Sequence, residues 1–571
     1  MLFNITKQAS LAILQFIAAL FILIVPSAIG EIPAAMGIYM LLIVFSILLC
    51  VRIKNTQRVD ISVSHLAYLI LAGYAIITSF WAGNREGNLL YFFSILVLML
   101  FHALARDYFA ENMTDNIKRR SLYLLSISGI ICSIVNFFYW IGKVVPVAGK
   151  TSLYKGLGTN DFLGMFLYFS ILASVTLTKG NSKIRKVLLI LAAVMMAFIF
   201  ILAKSMIAWA FAIIFTLAYF CKEKREKIFS FSSLAAAIIF TVFAIISVSH
   251  SEVSSVSQDV LAFSIKNLFG LGGGFWSARE TFLASSYQSI PQVGLVAYLF
   301  ASSGIIGLIV CVFIFFKSII LFTRLKNMTG LAALLLCVAV FILPFGENIA
   351  VILLLIGLNT YNEQLAGMDI QIRLEKDILR KTTYVACILA VVSAMLFLHS
   401  IIKISAKNAY DEKDYATSYS LYKIAGSINI CDSESLKMAT VSLRKTGEIV
   451  PLHDTAIRII DKAIKRDRNN LSIINEKALI YDACGEFELS AQQYRDAVQK
   501  AFNKDKYNLL LAKELYKILE KSPKGSPETK RSYEEIIQIA QSTQNLNRKK
   551  EINDIADQAF KYTKGDFASE G

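Results

Sequence analysis

Hydrophobic residues make up 56% of this 571-residue chain, and its mean hydropathy is +0.56. Soluble globular proteins are less apolar, at about 45–50%, so the composition excludes that class and predicts an integral membrane protein. The formal net charge of +16 could indicate a nucleic-acid partner. Much of the excess, however, lies in short loops between apolar runs, where binding to anionic membrane lipids explains it better.

Apolar runs long enough to cross a bilayer recur through the first 402 residues. A membrane-spanning helix needs about 17 to 25 residues. The twelfth run, 349–359, is short, and we include it because the charge pattern requires it. The predicted spans are 10–29, 32–51, 65–82, 88–105, 121–142, 161–178, 187–203, 206–221, 229–249, 293–316, 328–345, 349–359 and 382–402.

Charge alternates between successive loops. Every second loop carries three or four Lys or Arg residues, whereas the loops between them hold few. Because basic loops stay on the cytoplasmic side, the N-terminus is predicted inside, and thirteen crossings place the C-terminus outside the cytoplasmic membrane. A cleaved signal peptide is the competing interpretation of the first run, but that run exceeds the usual apolar core of about 7–15 residues.

The cysteine and histidine pattern gives no indication of a metal site. None of the eight cysteines forms a Cys-x-x-Cys pair, and the five histidines do not cluster along the sequence. Metal sites of that kind need closely spaced ligands. We therefore predict neither a metal nor another cofactor.

The chain changes character beyond the last apolar run, and residues 403–571 are charged and helical in pattern. Within 471–504, small, aromatic and glycine residues follow the spacing of a tetratricopeptide unit of about 34 residues. Such helix pairs stack into a solenoid whose concave surface binds proteins, so we expect an envelope-protein partner; an unrelated helical bundle is the alternative. The pattern residues are Ala478, Tyr481, Gly485, Phe487, Ser490, Tyr494 and Ala497, with weaker copies at Ala409, Tyr415, Ser418, Tyr422 and Ala425 and at Ala456 and Ala463.

The predicted outer loops hold isolated cations in apolar surroundings. Charges near a bilayer are costly unless they face water or a partner, so such a set predicts an anionic ligand. The long outer loop, about 250–292, also contains a glycine run that would permit mobility and close approach of backbone N–H groups to an oxyanion; a simple flexible turn is the alternative. The cations are Lys155, Lys204, Lys266 and Arg279, and the glycines are Gly270, Gly272, Gly273 and Gly274.

Four segments resemble motifs of the O-antigen ligase and O-antigen polymerase (Wzy-like) superfamily of bacterial envelope glycosyltransferases. Residues 267–272 resemble its Asn-Pro-Leu-hydrophobic-Gly-x-Gly pattern, with Leu268 in place of Pro, and 304–307 match its Gly-x-x-Gly. Residues 156–164 resemble its Gly...Asn-Pro-Asn...Ala motif at the start of a membrane helix, and residues 204–209 stand where the family has Ser-Arg-x-x-x-hydrophobic. The four segments follow one another in the order found in the family. The His-Asn pair that ligases carry before the Gly-x-x-Gly is absent, which favours a polymerase.

The apolar runs and the repeat pattern predict an all-α fold, in which a polytopic bundle of about 12–13 membrane helices (1–402) precedes an extracytoplasmic α-solenoid (403–571), and the resemblance agrees with this fold. It implies metal-free transfer of a sugar chain from undecaprenyl diphosphate to an acceptor hydroxyl at the outer membrane face. Cations would stabilise the charge that accumulates on the leaving diphosphate. We expect Lys204 and Arg279 in that role, with Lys155 and Lys266 behind them, and a general base among His250, Glu280 and Glu347.

Two other classes of function stay open. A transporter of lipid-linked sugars predicts interrupted helices at corresponding positions of two repeats, and the sequence offers no matching pair of Gly- or Pro-interrupted segments. A non-catalytic scaffold would act through its tetratricopeptide-like tail alone. For His250 and Glu347, an ordinary position at a helix end is the alternative to catalysis.

Overall fold

The computed structural model describes residues 31–56, 63–111, 115–144, 160–178, 181–224, 226–249, 252–281, 293–343, 349–367, 375–523 and 526–563. Within these ranges the regular secondary structure is entirely helical. The chain divides into two compact units. The first comprises residues 1–80, 90–270 and 290–400, and the second comprises residues 81–89, 271–289 and 401–571.

Every predicted span from 32–51 onward coincides with a helix, and the predicted span 10–29 lies outside the described residues. The helices are α1 (Glu31–Thr56), α2 (Val63–Thr78), α3 (Arg85–Glu111), α4 (Asp115–Val144), α5 (Asn160–Leu177), α6 (Lys183–Leu202), α7 (Met206–Lys224), α8 (Glu226–Ser249), α9 (Glu252–Lys266), α10 (Leu295–Leu325), α11 (Met328–Ile342), α12 (Ile349–Ala366) and α13 (Lys376–Asp411).

Five helices of the described chain are long and apolar enough to cross a membrane. Six further apolar helical segments of the described chain are shorter, at 10–17 residues, so length and composition alone single out the five. The five segments are Ala35–Ile53, Arg85–Arg106, Lys183–Leu202, Leu295–Leu325 and Lys376–Asp411.

Helix α11 forms the centre of the first unit. Its residues from Gly330 to Val340 are all buried, and it packs against α7, α8, α10 and α12. A helix that is apolar on every side must be surrounded by other elements. Peripheral α6 differs, because Ile184 and Leu188 expose 76% and 60% of their surface, as expected of side chains that face lipid.

The region predicted as a long outer loop is partly helical. It contains α9 and a 3-10 helix, Phe275–Thr281. Val256, Val260 and Ser264 are buried at four-residue spacing on α9, which places them on one face. Helix α9 packs against α10, so this face belongs to the core of the first unit.

The second unit is built from consecutive helices, each packed on the next along the chain. The predicted domain boundary at 402 falls inside α13, which continues without a break to Asp411. The following helices are α14 (Tyr415–Ile428), α15 (Ser433–Lys445), α16 (His453–Arg466), α17 (Leu471–Ala483), α18 (Phe487–Lys500), α19 (Asp505–Lys521), α20 (Pro527–Ser542) and α21 (Leu546–Thr563).

The residues of the predicted 471–504 repeat occupy a helix pair, α17 and α18. Ala478 and Ala497 are fully buried, and Tyr494 is 1% exposed. Small residues allow the two backbones to approach while the aromatic ring fills the remaining space. Gly485 lies in the connecting turn with φ 76°, a left-handed conformation that favours glycine.

Candidate functional site

Two of the four family-like segments meet in the first unit, at an interruption of α10. Gly304 has non-helical dihedral angles there, φ 58° and ψ −144°, and the Ile305 amide donates to the Leu268 carbonyl at 3.0 Å. Gly270, also left-handed with φ 72°, lies directly against the interruption. The 267–272 and 304–307 segments therefore form one contact, although 33 residues separate the two glycines.

This contact requires the absence of side chains. A Cβ on Gly304 would lie 2.1 Å from the Leu268 carbonyl oxygen, and a Cβ on Gly270 would lie 2.5 Å from the Ser302 carbonyl oxygen. Real Cβ atoms do not approach backbone atoms so closely, and both residues also have a positive φ. Glycine is therefore needed for both conformation and space at each position.

Polar groups of the neighbouring helices surround the contact. The Tyr74 hydroxyl on α2 donates to the Phe269 carbonyl at 2.7 Å. The Tyr91 hydroxyl on α3 is hydrogen-bonded to the Ser303 hydroxyl at 2.8 Å, and Ser302 and Ser303 are fully buried. Helices α2, α3 and α10 thus place polar groups around an unwound segment of helix, with the Tyr91–Ser303 hydrogen bond buried and the Tyr74–Phe269 hydrogen bond exposed.

The other two family-like segments also meet each other. Ser205 donates to the Asp161 carboxylate, and the Ser205 hydroxyl accepts from the Ala208 amide at 2.9 Å, so it caps the start of α7. A Cβ on Gly164 would lie 2.4 Å from the Ala208 Cβ. Helices α5 and α7 are therefore in close contact, and the turn between α6 and α7 is fixed at Ser205.

Lys204 occupies this fixed turn. It is exposed and adopts φ 51°, a left-handed conformation that is uncommon for a residue with a side chain. Strained backbone of this kind occurs disproportionately at functional sites. The Lys204 ammonium group makes no ion pair with any described residue, so its charge is available to an anion.

Lys266 is the last residue of α9 and is exposed. A cation at this position is also favoured by the helix dipole, which explains Lys266 without a ligand. Three further site residues, Lys155, His250 and Glu347, lie outside the described residues.

Arg279 and Glu280 belong to the second unit, on the 3-10 helix. The Glu280 carboxylate accepts hydrogen bonds from the Tyr507 hydroxyl and from the Lys506 ammonium group at 3.2 Å. Burial, followed by the Glu280 charge, raises the pKa of Tyr507, so this phenol stays protonated and donates. Arg279 donates only weakly to the Trp276 carbonyl, at 3.4 Å.

The remaining glycines of the run are packed inside the second unit. Gly272, Gly273 and Gly274 are buried. The Gly273 amide donates to the Asn88 side-chain oxygen at 2.9 Å, and a Cβ on Gly274 would lie 2.7 Å from the Asn84 Cβ. Gly272 and Gly274 are closely packed, because a Cβ at either position would meet a neighbouring atom at 2.7 Å, and the predicted role of the run in loop mobility stays a prediction.

A carboxylate of the repeat helices holds the same segment. Asp467 accepts from the Ser277 hydroxyl at 3.3 Å and from the Asn470 side-chain amide at 3.1 Å. Burial raises the pKa of Asp467 to about 6. The second unit therefore fixes the 3-10 helix that carries Arg279.

Sequence reasoning missed a buried charged cluster in the first unit, formed by His65, His102, Lys317 and Glu363. The histidines are far apart in the sequence, and Lys317 and Glu363 fall just beyond predicted spans. Each of these residues is ionisable and lies inside or at the edge of an apolar run, and this position could have indicated a functional site from the sequence.

Comparison with known proteins adds no relative. No protein-family model matches the chain, and no curated protein matches it.

Proposed function

We propose that this chain is a polymerase-like membrane glycosyltransferase of bacterial envelope polysaccharide assembly. It transfers or polymerises an oligosaccharide carried on undecaprenyl diphosphate at the outer face of the cytoplasmic membrane. Its N-terminus is cytoplasmic, and its tetratricopeptide-like tail is extracytoplasmic. The observation that carries the proposal is the pairwise contact of all four family-like segments in the first unit, 267–272 with 304–307 and 160–164 with 204–208.

In the proposed reaction, an acceptor hydroxyl oxygen attacks the anomeric carbon of the carried sugar. The bond between that carbon and the diphosphate oxygen breaks, the hydroxyl proton passes to a base, and undecaprenyl diphosphate leaves with additional negative charge. A fixed cation stabilises that charge most in the transition state. Lys204 is suited to this role because its turn is held by Ser205 and Asp161 while its ammonium group is exposed.

Three residues are candidates for the general base: His250, Glu280 and Glu347. Both oxygens of Glu280 are engaged by Tyr507 and Lys506, which makes this carboxylate the weakest of the three candidates. His250 and Glu347 keep their proposed role. Arg279 remains the second proposed diphosphate ligand, since its 3-10 helix is fixed by Ser277 and Glu280.

Lys204→Ala tests the proposal in cells that lack the native gene copy, with surface polysaccharide resolved by electrophoresis. Loss of one transition-state donor costs about 100- to 1,000-fold in rate, so polymer should disappear, and Lys204→Arg should retain part of it. Lys326→Ala is the matched control, because Lys326 is equally exposed and also left-handed, with φ 47°. Full-length polymer in the Lys204→Ala strain would contradict the assignment.

Transport of a lipid-linked sugar is the second candidate function. The interruption of α10 at Gly304 favours it, because transporters bind substrates at unwound segments of membrane helices. The location of unfinished product separates the two functions. Loss of a polymerase leaves single repeat units at the cell surface, whereas loss of a transporter retains them on the inner face.

A further inference from the structure

Three buried ionisable side chains and the partly exposed Lys317, whose side chain is 18% exposed, form a cluster across four helices of the first unit. His65 lies on α2, His102 on α3, Lys317 on α10 and Glu363 on α12. The two histidines are 5% and 1% exposed, and Glu363 is 4% exposed. Buried charges in an apolar bundle are costly and do not stabilise a fold by default, so the cluster points to a function.

This cluster is separate from the glycine contact, although the same helices carry both. Lys317 follows Gly304 by 13 residues on α10, which corresponds to about 20 Å at the helical rise. His102 follows Tyr91 by 11 residues on α3, or about 16 Å. The cluster therefore lies toward the other end of α2, α3 and α10.

His102 connects the two sides of the cluster through its two ring nitrogens. Its Nδ1 lies 3.4 Å from Nε2 of His65, and its Nε2 lies 3.7 Å from Oε2 of Glu363. A neutral imidazole donates from one nitrogen and accepts at the other. His102 therefore lies between a possible proton donor, His65, and a possible acceptor, Glu363, and transfer to Glu363 requires the 3.7 Å contact to shorten to hydrogen-bond distance.

The other polar groups around the histidines set the charge balance. Lys317 forms an ion pair with Glu363 and also donates to the Ser64 hydroxyl at the start of α2. Arg106 on α3 is buried and acts on the charge of His65, and the Tyr68 ring lies 5.8 Å from the His102 ring. Lys317 and Arg106 are two permanent cations, and Glu363 is the one carboxylate that faces them. An additional positive charge on the pair of His65 and His102 is therefore unfavourable.

We propose that His65, His102 and Glu363 form a buried proton-transfer site. The Nε2–H proton of a protonated His65 moves to Nδ1 of His102, and the Nε2–H proton of His102 moves to Oε2 of Glu363. His65 becomes neutral, His102 exchanges one neutral tautomer for the other, and the carboxylate becomes a carboxylic acid. Because Glu363 then carries no charge, its ion pair with Lys317 is lost, and the contact between α10 and α12 weakens.

Solid-state NMR of the full-length protein in lipid bilayers, labelled with ¹⁵N-histidine, tests this proposal. The five histidines are assigned with single His→Gln variants, and the ring nitrogens are followed as a function of pH. Coupled sites shift each other's titration by about one pH unit or more. Glu363→Gln should therefore shift the titration midpoints of both His102 and His65, and the His65 shift should exceed the direct effect of the Glu363 charge because the proton path through His102 adds to it.

The coupling must also depend on the intermediate ring. In a His102→Gln background, Glu363→Gln should shift the His65 titration much less than in the native background, because only the direct effect of the Glu363 charge on His65 is left, and in the native background Glu363→Asp should restore most of the coupling. Glu375→Gln is the matched control, because Glu375 is exposed and should affect neither midpoint. The proposal is overturned if Glu363→Gln moves only His102, or if Glu363→Asp behaves like Glu363→Gln. Circular dichroism verifies that each variant is folded, and the readout is independent of polysaccharide synthesis.

Discussion

Replacement of Gly304 by alanine is the sharpest test of the contact between the two glycine segments. The new Cβ would lie 2.1 Å from the Leu268 carbonyl oxygen and 2.7 Å from the Gly270 amide nitrogen. Both are backbone atoms, so neither can rotate away as a side chain would. Either α10 shifts and loses the hydrogen bond from Ile305 to Leu268, or the loop that carries Gly270 moves.

Three contributions to the free energy can be separated. A left-handed alanine costs about 1–2 kcal/mol relative to glycine. Forcing additional volume into a packed site costs about 1–3 kcal/mol more, and the lost hydrogen bond about 1 kcal/mol. Gly367 provides the matched control, because its φ of 59° is nearly the same while no atom lies within 4 Å of the added Cβ. Gly304→Ala should thus destabilise the fold by about 2–4 kcal/mol more than Gly367→Ala.

The measurement is the apparent thermal unfolding midpoint of the full-length protein in one detergent. A difference of about 2 kcal/mol corresponds to about 2 °C at this size, with the Gly304 variant the less stable. Equal midpoints for the two variants would refute the reasoning, because backbone conformation alone would then explain both, and the contact between 267–272 and 304–307 would contribute nothing.

Three further predictions concern the second unit, each measured as an unfolding midpoint. The pKa of Asp467 is raised to about 6, so the stability that its protonated carboxyl contributes to the fold is fully present below about pH 4 and is lost as the pH rises through 6. The native chain should therefore be less stable at pH 7.5 than at pH 5, and Asp467→Asn should remove that difference. Arg444→Met leaves the buried Glu476 carboxylate without its two hydrogen bonds of 3.0 and 2.9 Å and should lower the free energy of unfolding by about 3 kcal/mol. Arg458→Met should not have this effect, because the exposed Arg458 side chain bonds only its own helix. Ala478→Leu should destabilise the second unit by about 1–3 kcal/mol because Ala478 is fully buried. Ala483 on the same helix is exposed, so Ala483→Leu should be neutral. Equal midpoints within the Arg444 and Arg458 pair, or within the Ala478 and Ala483 pair, would contradict the packing argument for that pair.

The positions of the helices were largely predictable. An apolar run such as 328–345 forms a helix because the backbone must satisfy its own hydrogen bonds in apolar surroundings, and that requirement is local. Helix ends were less predictable: Lys317 and Glu363 lie beyond the apolar runs, yet α10 and α12 continue through both. The helix continues there because a buried partner neutralises each charge, which no property of the run itself indicates.

The predicted site was only partly interpretable from the sequence. The glycine run 270–274 indicated unusual backbone, and both Gly270 and Gly272 have a positive φ. Composition did not indicate the close packing of Gly270, Gly272 and Gly274, whose surroundings are filled by Ser302, Asn88 and Asn84. Those neighbours lie far away in the sequence, and only packing reveals them.

By itself, the sequence determined the class of the molecule, the location of its helices and the change of character beyond residue 402, since each depends on composition or on periodicity within one segment. Tertiary structure alone decided which distant residues meet: Gly270 with Gly304, Asp161 with Ser205, and His102 with both His65 and Glu363. The physical reason is that hydrophobic burial is non-directional. It draws helices together, whereas the choice of neighbours depends on close packing and on pairing of the few buried polar groups.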